Sequence, residues 1–210
     1  MTDLPRTIPL FPLPDAVLFP RMPLPLHVFE PRYRKLVGDA LRGDQIIGMA
    51  LLQEGWEDSY LAHPAIYGLG CAGRIEQSEA LPDGRFNLLL RGLLRFRVLR
   101  EQQGELYRLA EVEPLPDEPA DAQALAASRA KLTEALARTA EGSVALIVQD
   151  ELPDELFVNA LCQSLPLEPV ERQSLLGYGS ASERCGRLLE LLDFKALQRA
   201  HGVDGQKPAN

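Results

Sequence analysis

Gly68-Leu69-Gly70-Cys71-Ala72-Gly73 spells GxGxxG, the spacing in which glycines let a backbone approach a pyrophosphate at the start of a helix. The residues that follow, RIEQSEALPDGR at 74–85, carry no apolar helical stripe and contain the turn Pro82-Asp83-Gly84. No helix dipole is therefore aimed at the glycines, and the motif reads as a kinked or bulged strand. The chain has no GxxxxGK(S/T) loop and no GxSxG elbow, so neither P-loop ATP hydrolysis nor that type of serine nucleophile is available to these residues. Ser180, beside Gly177 and Gly179, is better placed to cap a helix than to attack a carbonyl. His27 and Glu30 are three apart and could share a proton, which makes a small-molecule enzyme the alternative reading; they straddle a strand-to-helix junction with no Ser, Cys or metal partner in view. Cys71, Cys162 and Cys185 are odd in number and far apart, and His27, His63 and His201 are equally dispersed. Neither a disulfide framework nor a zinc site can be built from them, and thiols in apolar settings are expected. We assign no catalytic residue, no metal and no cofactor.

Two groups of residues suit binding instead. QEGWEDSYLAHP at 53–64 sets the only tryptophan, Trp56, and Tyr60 among Glu54, Glu57 and Asp58, between two apolar segments. Aromatics in such a loop bury much area on a peptide at little entropic cost; the competing role is a Trp folded back as a lid over the strands. In Leu94–Arg100, Leu94, Phe96 and Val98 face one side. Arg95 and Arg97 then face the other, in solvent, where they could attract acidic segments.

These side chains need a scaffold, and the composition supplies one. The chain has 210 residues, 46% hydrophobic and 25% charged, with 22 Lys+Arg against 30 Asp+Glu and a net charge of −8. A real core can be buried, and wholesale disorder is excluded. Residues 1–118 hold 13 basic and 17 acidic side chains and 119–210 hold 9 and 13, so neither half has the positive excess that draws in nucleic acid. The longest apolar runs, such as Val144–Val148, fall far short of the roughly 18 residues of a membrane span, and prolines interrupt the N-terminus where a secretion signal is apolar. A cytoplasmic protein with no membrane partner is expected.

The first half is dense in Pro, Gly and short apolar runs, the texture of a compact barrel-like β fold. Strands are expected at Ala16–Phe19, Leu26–Phe29, Ile46–Leu52, Tyr67–Glu76, Arg85–Leu90, Leu94–Arg100 and Arg108–Glu113. One helix interrupts them, started by Glu30-Pro31, carrying Tyr33, Leu36, Val37 and Ala40 inward and closed by Gly43. The proline-rich opening, Pro5–Pro31, carries too much apolar surface to remain a solvated polyproline ligand and must be core and edge structure. VEPLPDEPAD at 112–121 marks a seam. Beyond it come helices at Asp121–Thr139 with Gly142 as a cap, at Leu156–Leu165 behind Pro153, and at Val170–Leu176 behind Pro169. A last helix is opened by the capping box Ser180-Ala181-Ser182-Glu183, buried through Leu188, Leu189, Leu191, Leu192 and Phe194, and ended at Gly202. The domains follow as 1–117 and 118–204, with a frayed tail at 205–210.

At this level a resemblance emerges. IPLFPL at 8–13, VLFP at 17–20 and MPLPLHVFEPRY at 22–33 resemble the opening of the N-terminal domain of Lon ATP-dependent proteases. GLGCAGRI at 68–75, LRGLLRFRV at 90–98 and the helical segments around Leu165-Pro166-Leu167, Arg172–Leu176 and Glu183-Arg184 are similar to later parts of that domain. The resemblance covers nearly the whole chain. It implies an α+β fold: a PUA-like β-barrel with one embedded helix, followed by a C-terminal α-helical bundle. It also implies a domain that holds protein substrates for an attached ATPase and peptidase. Only a short tail follows the helices, so a freestanding version is expected, binding unfolded or apolar protein segments, alone or for a separate ATP-dependent protease, and not itself an enzyme. Within it Trp56, Tyr60, Arg95 and Arg97 are the binding candidates, while Phe29, Pro31, Tyr33, Gly92 and Phe96 are expected to be scaffold. RNA binding follows only from analogy with other PUA-like barrels, and the acidic balance argues against it.

Overall fold

A computed structural model describes residues 4–60, 63–103, 106–139 and 152–200. Gly142, Val144–Val148, His201, Gly202 and the tail at 205–210 lie outside the described residues. The chain divides into two units: residues 1–118 with 166–179, and residues 119–165 with 180–210. Segment 166–179, expected among the helices of the second half, thus belongs with the strands.

The first unit is built on a six-stranded mixed sheet rather than a clean barrel. Its strands are β1 (Thr7–Leu13), β2 (Pro23–Val28), β3 (Ile46–Leu52), β4 (Ile66–Ala80), β5 (Phe86–Gln103) and β6 (Arg108–Leu115). Their order is β2-β5-β4-β3-β1-β6, and β6 also pairs with β5, so the hydrogen bonding returns on itself through the longest strand. Ile8, Leu10, Ile46, Ala72, Phe96 and Val112 belong to the core that this ring of pairings creates.

The differences from the expected strands trace to how the strands pair. β1 is a strand in spite of Pro9 and Pro12, whereas Ala16–Phe19 is not one. Arg6 accepts from the Val112 N–H, so the even residues of β1 face β6 and the odd ones face β3. Pro9 then presents its missing N–H to the β3 side before that pairing starts at Leu10, and Pro12 presents its own to the β6 side after that pairing has stopped at Leu10. Next, the segments 85–90 and 94–100 form one strand, bent where the register shifts at Gly73 and Gly92. A second shift between Val98 and Arg100 leaves Leu99 out of register and 58% exposed.

β2 shows the same economy with proline. Met22 accepts from the Gly92 N–H, so the even residues face β5, and Pro23 and Pro25, both exposed, lie on the outer edge with His27. Between β2 and β3, α1 (Pro31–Arg42) takes Pro31 into its first turn and buries Tyr33, Leu36, Val37 and Ala40, as the spacing predicts. α4 (Pro169–Leu176) completes this unit.

The second unit packs α2 (Ala122–Thr139), α3 (Asp154–Ser164) and α5 (Ala181–Ala200) pairwise against one another. Leu125, Leu132 and Leu136 are buried from α2, Phe157 and Leu161 from α3, and Leu188 from α5. Phe194 is 57% exposed, a correction to its expected place on the buried side of α5. Asp154 and Glu155 place acids in the first turn of α3, where the helix dipole favours them. Arg129 reaches that turn from α2, donating to Asp154 Oδ1 at 2.7 Å and lying 4.3 Å over the Phe157 ring. The capping box of α5 is formed in both directions, with Glu183 N–H donating to Ser180 Oγ at 3.2 Å and Ser180 N–H to Glu183 Oε2 at 3.1 Å. Ser180→Ala is expected to cost about 1 kcal/mol, visible as a lower thermal midpoint of the helical circular-dichroism signal; an unchanged midpoint would mean that the cap contributes nothing.

Candidate functional site

Residue 56 begins a single 3-10 turn, Trp56–Ser59, that returns the chain over the core. Trp56 and Tyr60 are partly buried and pack against the Ile8–Phe96 cluster, their rings edge to face at 5.4 Å. The lid position is thus the one adopted. Tyr60 continues outward into a polar network. Its hydroxyl donates to Glu30 Oε1, and its backbone carbonyl accepts from Arg32 Nη1 at 3.2 Å. The Arg32 guanidinium lies between two rings, 4.8 Å from Tyr60 and 4.6 Å from Tyr33, with Nε donating to Glu30 Oε2 at 3.0 Å. Beside this network is a pocket of about 90 Å³ whose lining includes Arg32, Tyr60, His63, Tyr107 and Arg108.

Sequence reasoning found Tyr60 but missed Arg32, His63 and Arg108. A signal for Arg32 was present: a cation in the first turn of α1 opposes the helix dipole and so calls for another reason to be there. Arg108 gives none, since its burial at 7% depends on strands distant in sequence.

The Arg95/Arg97 face departs from expectation at one of its two residues. Arg97 is exposed and pairs with Glu113 Oε2 at 2.7 Å. Arg95, expected in solvent, is 5% exposed. It donates to Asp117 Oδ1 at 2.9 Å, to the Gly179 carbonyl at 3.1 Å and to the Leu176 and Gly177 carbonyls at 3.4 Å. Cover comes from the end of α4: the carbonyl of its last residue, Leu176, and those of Gly177 and Gly179 just beyond it accept from this guanidinium. A groove of about 610 Å³ remains beside it, lined by Leu69, Val98 and Leu115, with Arg97 and Glu118 among its polar residues.

His27 and Glu30 engage different partners. His27 is exposed, 2.8 Å from Asn87 Oδ1 through Nδ1 and 3.2 Å from Arg85 through Nε2, whereas Glu30 is held by Arg32 and Tyr60. The proton-sharing pair that the spacing suggested is not assembled. Phe29 between them was expected as scaffold and is 60% exposed.

The GxGxxG glycines are explained by packing. A Cβ on Gly70 would meet the Met49 carbonyl and lie 2.6 Å from the Phe96 ring, and one on Gly73 would lie 2.9 Å from Leu18, while Gly68 faces open space. The motif continues as strand β4. Among the described residues, no group of three or more His, Cys, Asp or Glu could hold a metal ion, and no helix is long and apolar enough to cross a membrane.

With this geometry in hand, residues 7–193 match the family model of the ATP-dependent protease La (LON) substrate-binding domain. The chain belongs to that family. Its similarity to full-length relatives is broad but partial: it is 32% identical to a Lon protease of Dictyoglomus thermophilum over 76% of this chain and 19% of that protein. It is 29% identical to a Lon protease of Cytophaga hutchinsonii over 91% of this chain and 24% of that protein. The chain thus spans about a fifth to a quarter of the length of these curated relatives. Among solved structures, a Lon N-terminal domain protein from Xanthomonas campestris is 29% identical with a TM-score of 0.60, covering 88% of this chain and 97% of that one. The N-terminal domain of a Lon protease from the Mycobacterium avium complex, at 18% identity and a TM-score of 0.68 over 89% and 98% of the two chains, shares the fold. In this member of the Lon family, then, Gly70 and Gly73 are accounted for by close packing.

Proposed function

We propose that this chain is a holding module: it binds unfolded or apolar protein segments and has no ATPase or peptidase of its own, any cleavage being left to a separate ATP-dependent protease. The observation that carries this reading is the family match, which extends across both units and describes a substrate-binding domain. A solved Lon N-terminal domain protein aligned over 97% of its length supports a unit of this extent. The PUA-like and helical-bundle descriptions of the two units rest on the same resemblance, helped by the return of β6 to β5.

The aromatic corner at Trp56 and Tyr60 is the surface we favour. Partly buried rings keep their orientation without a client, so little side-chain entropy is lost when one docks. A reduced and alkylated, permanently unfolded protein titrated into this chain should bind saturably, and Trp56→Ala or Tyr60→Ala should weaken that binding about tenfold with the circular-dichroism spectrum retained. Arg97→Ala should leave it unchanged. Failure to bind any such client at low and at physiological salt would end this reading.

A further inference from the structure

The geometry points to the pocket beside Tyr60 as a receptor for a peptide carboxylate, held by Arg32 and Arg108; this deepens the holding reading and rests on it. Arg32, from the first turn of α1, and Arg108, from the start of β6, both line the pocket, and among the described residues no acidic side chain lines it. Both are fixed in place before any ligand arrives. Arg32 is stacked between the Tyr33 and Tyr60 rings, and Arg108 donates to the Pro64 carbonyl at 2.6 Å and to Glu101 Oε2 at 3.1 Å.

Neither has exhausted its donors. A guanidinium carries five N–H groups, and the named bonds of Arg108 use two of them. The Nε–Nη2 edge of Arg32 is turned to Glu30 Oε2, 3.0 Å from each nitrogen, with Nη2 buried, so the donor left to Arg32 is the second hydrogen of Nη1, beside its bond to the Tyr60 carbonyl. A carboxylate has two acceptor oxygens and can take one N–H from each guanidinium.

Charge and size select the ligand further. Glu30 and Glu101 balance the two arginines from outside the lining, so a single negative charge suits the site better than the double charge of a phosphate monoester. The neighbouring phenols stay protonated: burial pushes Tyr33 up to about 12, and burial together with the Asp39 hydrogen bond does the same for Tyr107. About 90 Å³ admits a carboxylate and its first carbons, and Pro12, Leu52 and the 57% exposed Leu106 offer apolar surface to the rest of the residue.

The test compares acetyl-Ala-Ala-Leu bearing a free carboxylate with the same peptide amidated at its C-terminus, by calorimetry and by the fluorescence of Trp56, which packs on Tyr60. The acid should bind about tenfold more tightly, and Arg32→Gln or Arg108→Gln should abolish that preference. Acetyl-Ala-Asp-Leu-amide identifies the source: if it matches the free acid, a side-chain carboxylate serves as well as a chain end. Equal affinity for acid and amide, no binding of either at millimolar concentration, or a preference that survives both arginine variants would each overturn the proposal. Should a variant fail to fold, the His63 ring resonances of the unaltered protein must shift with the acid and not with the amide. The unfolded-client titration is run in parallel. Clients bound without carboxylate preference remove the pocket proposal alone, and a carboxylate preference without client binding sustains the pocket and removes the holding reading.

Discussion

Arg95→Leu is expected to destabilise the sheet unit by about 3 kcal/mol, whereas Arg97→Leu, two residues along the same face, should change it by less than about 0.5 kcal/mol. The contrast comes from cover. Arg95 is nearly sealed and bonds Asp117 together with three carbonyls at and just beyond the end of α4; removing it strands acceptors that water cannot easily reach. Arg97 keeps its side chain in solvent, where its pair with Glu113 is screened and weak. Arg95→Lys would retain the charge but not the fork, and should recover only a small part of the loss. Hydrogen exchange is the measurement that resolves the effect: amides of residues 166–179 should lose protection before those of β3. Uniform loss across the unit, or a midpoint as unmoved as that of Arg97→Leu, would show that this guanidinium does not tether the segment.

Gly70→Ala should cost about 3 kcal/mol or more, and Gly68→Ala, one turn of the pleat away, almost nothing. At position 70 the new methyl has backbone on one side and a core ring on the other, so neither flexible side chains nor solvent can absorb it. Position 68 faces open space. Gly92 is as constrained as Gly70, because a Cβ there would land on the Phe19 carbonyl oxygen and 2.9 Å from its carbon. Urea unfolding of the two alanine variants distinguishes the explanations. Equal, small effects at 68 and 70 would mean that the glycines are not needed for packing, and the nucleotide reading of the motif would regain its standing.

Local signals were legible wherever one residue type settles one local problem. Pro31 in a first turn, Tyr33, Leu36, Val37 and Ala40 at helical spacing, and the Ser180–Glu183 box specified their helices correctly because each acts within a few residues. β1 was missed for the opposite reason. Its prolines look disqualifying until it is known that β3 and β6 take up different stretches of the strand, which is a property of the sheet and not of the segment. Arg95 and Arg97 look alike in the sequence, and only the placement of α4 separates them. The candidate site divides in the same way. Tyr60 was visible as an aromatic in an acidic loop, but the pocket beside it needs residues from the start of α1, the loop before β4 and the start of β6, and no window along the chain contains all three.

The outer edge of β2 has a further consequence. Over Pro23–His27 the outward positions hold a single amide hydrogen, that of His27, because Pro23 and Pro25 have none. An extended polypeptide trying to lengthen the sheet there would find its own carbonyls opposite Pro23 and Pro25 facing proline rings, so only part of a ladder could form. Whatever extended chain lies alongside, this edge is a poor template for lengthening the sheet into a fibril.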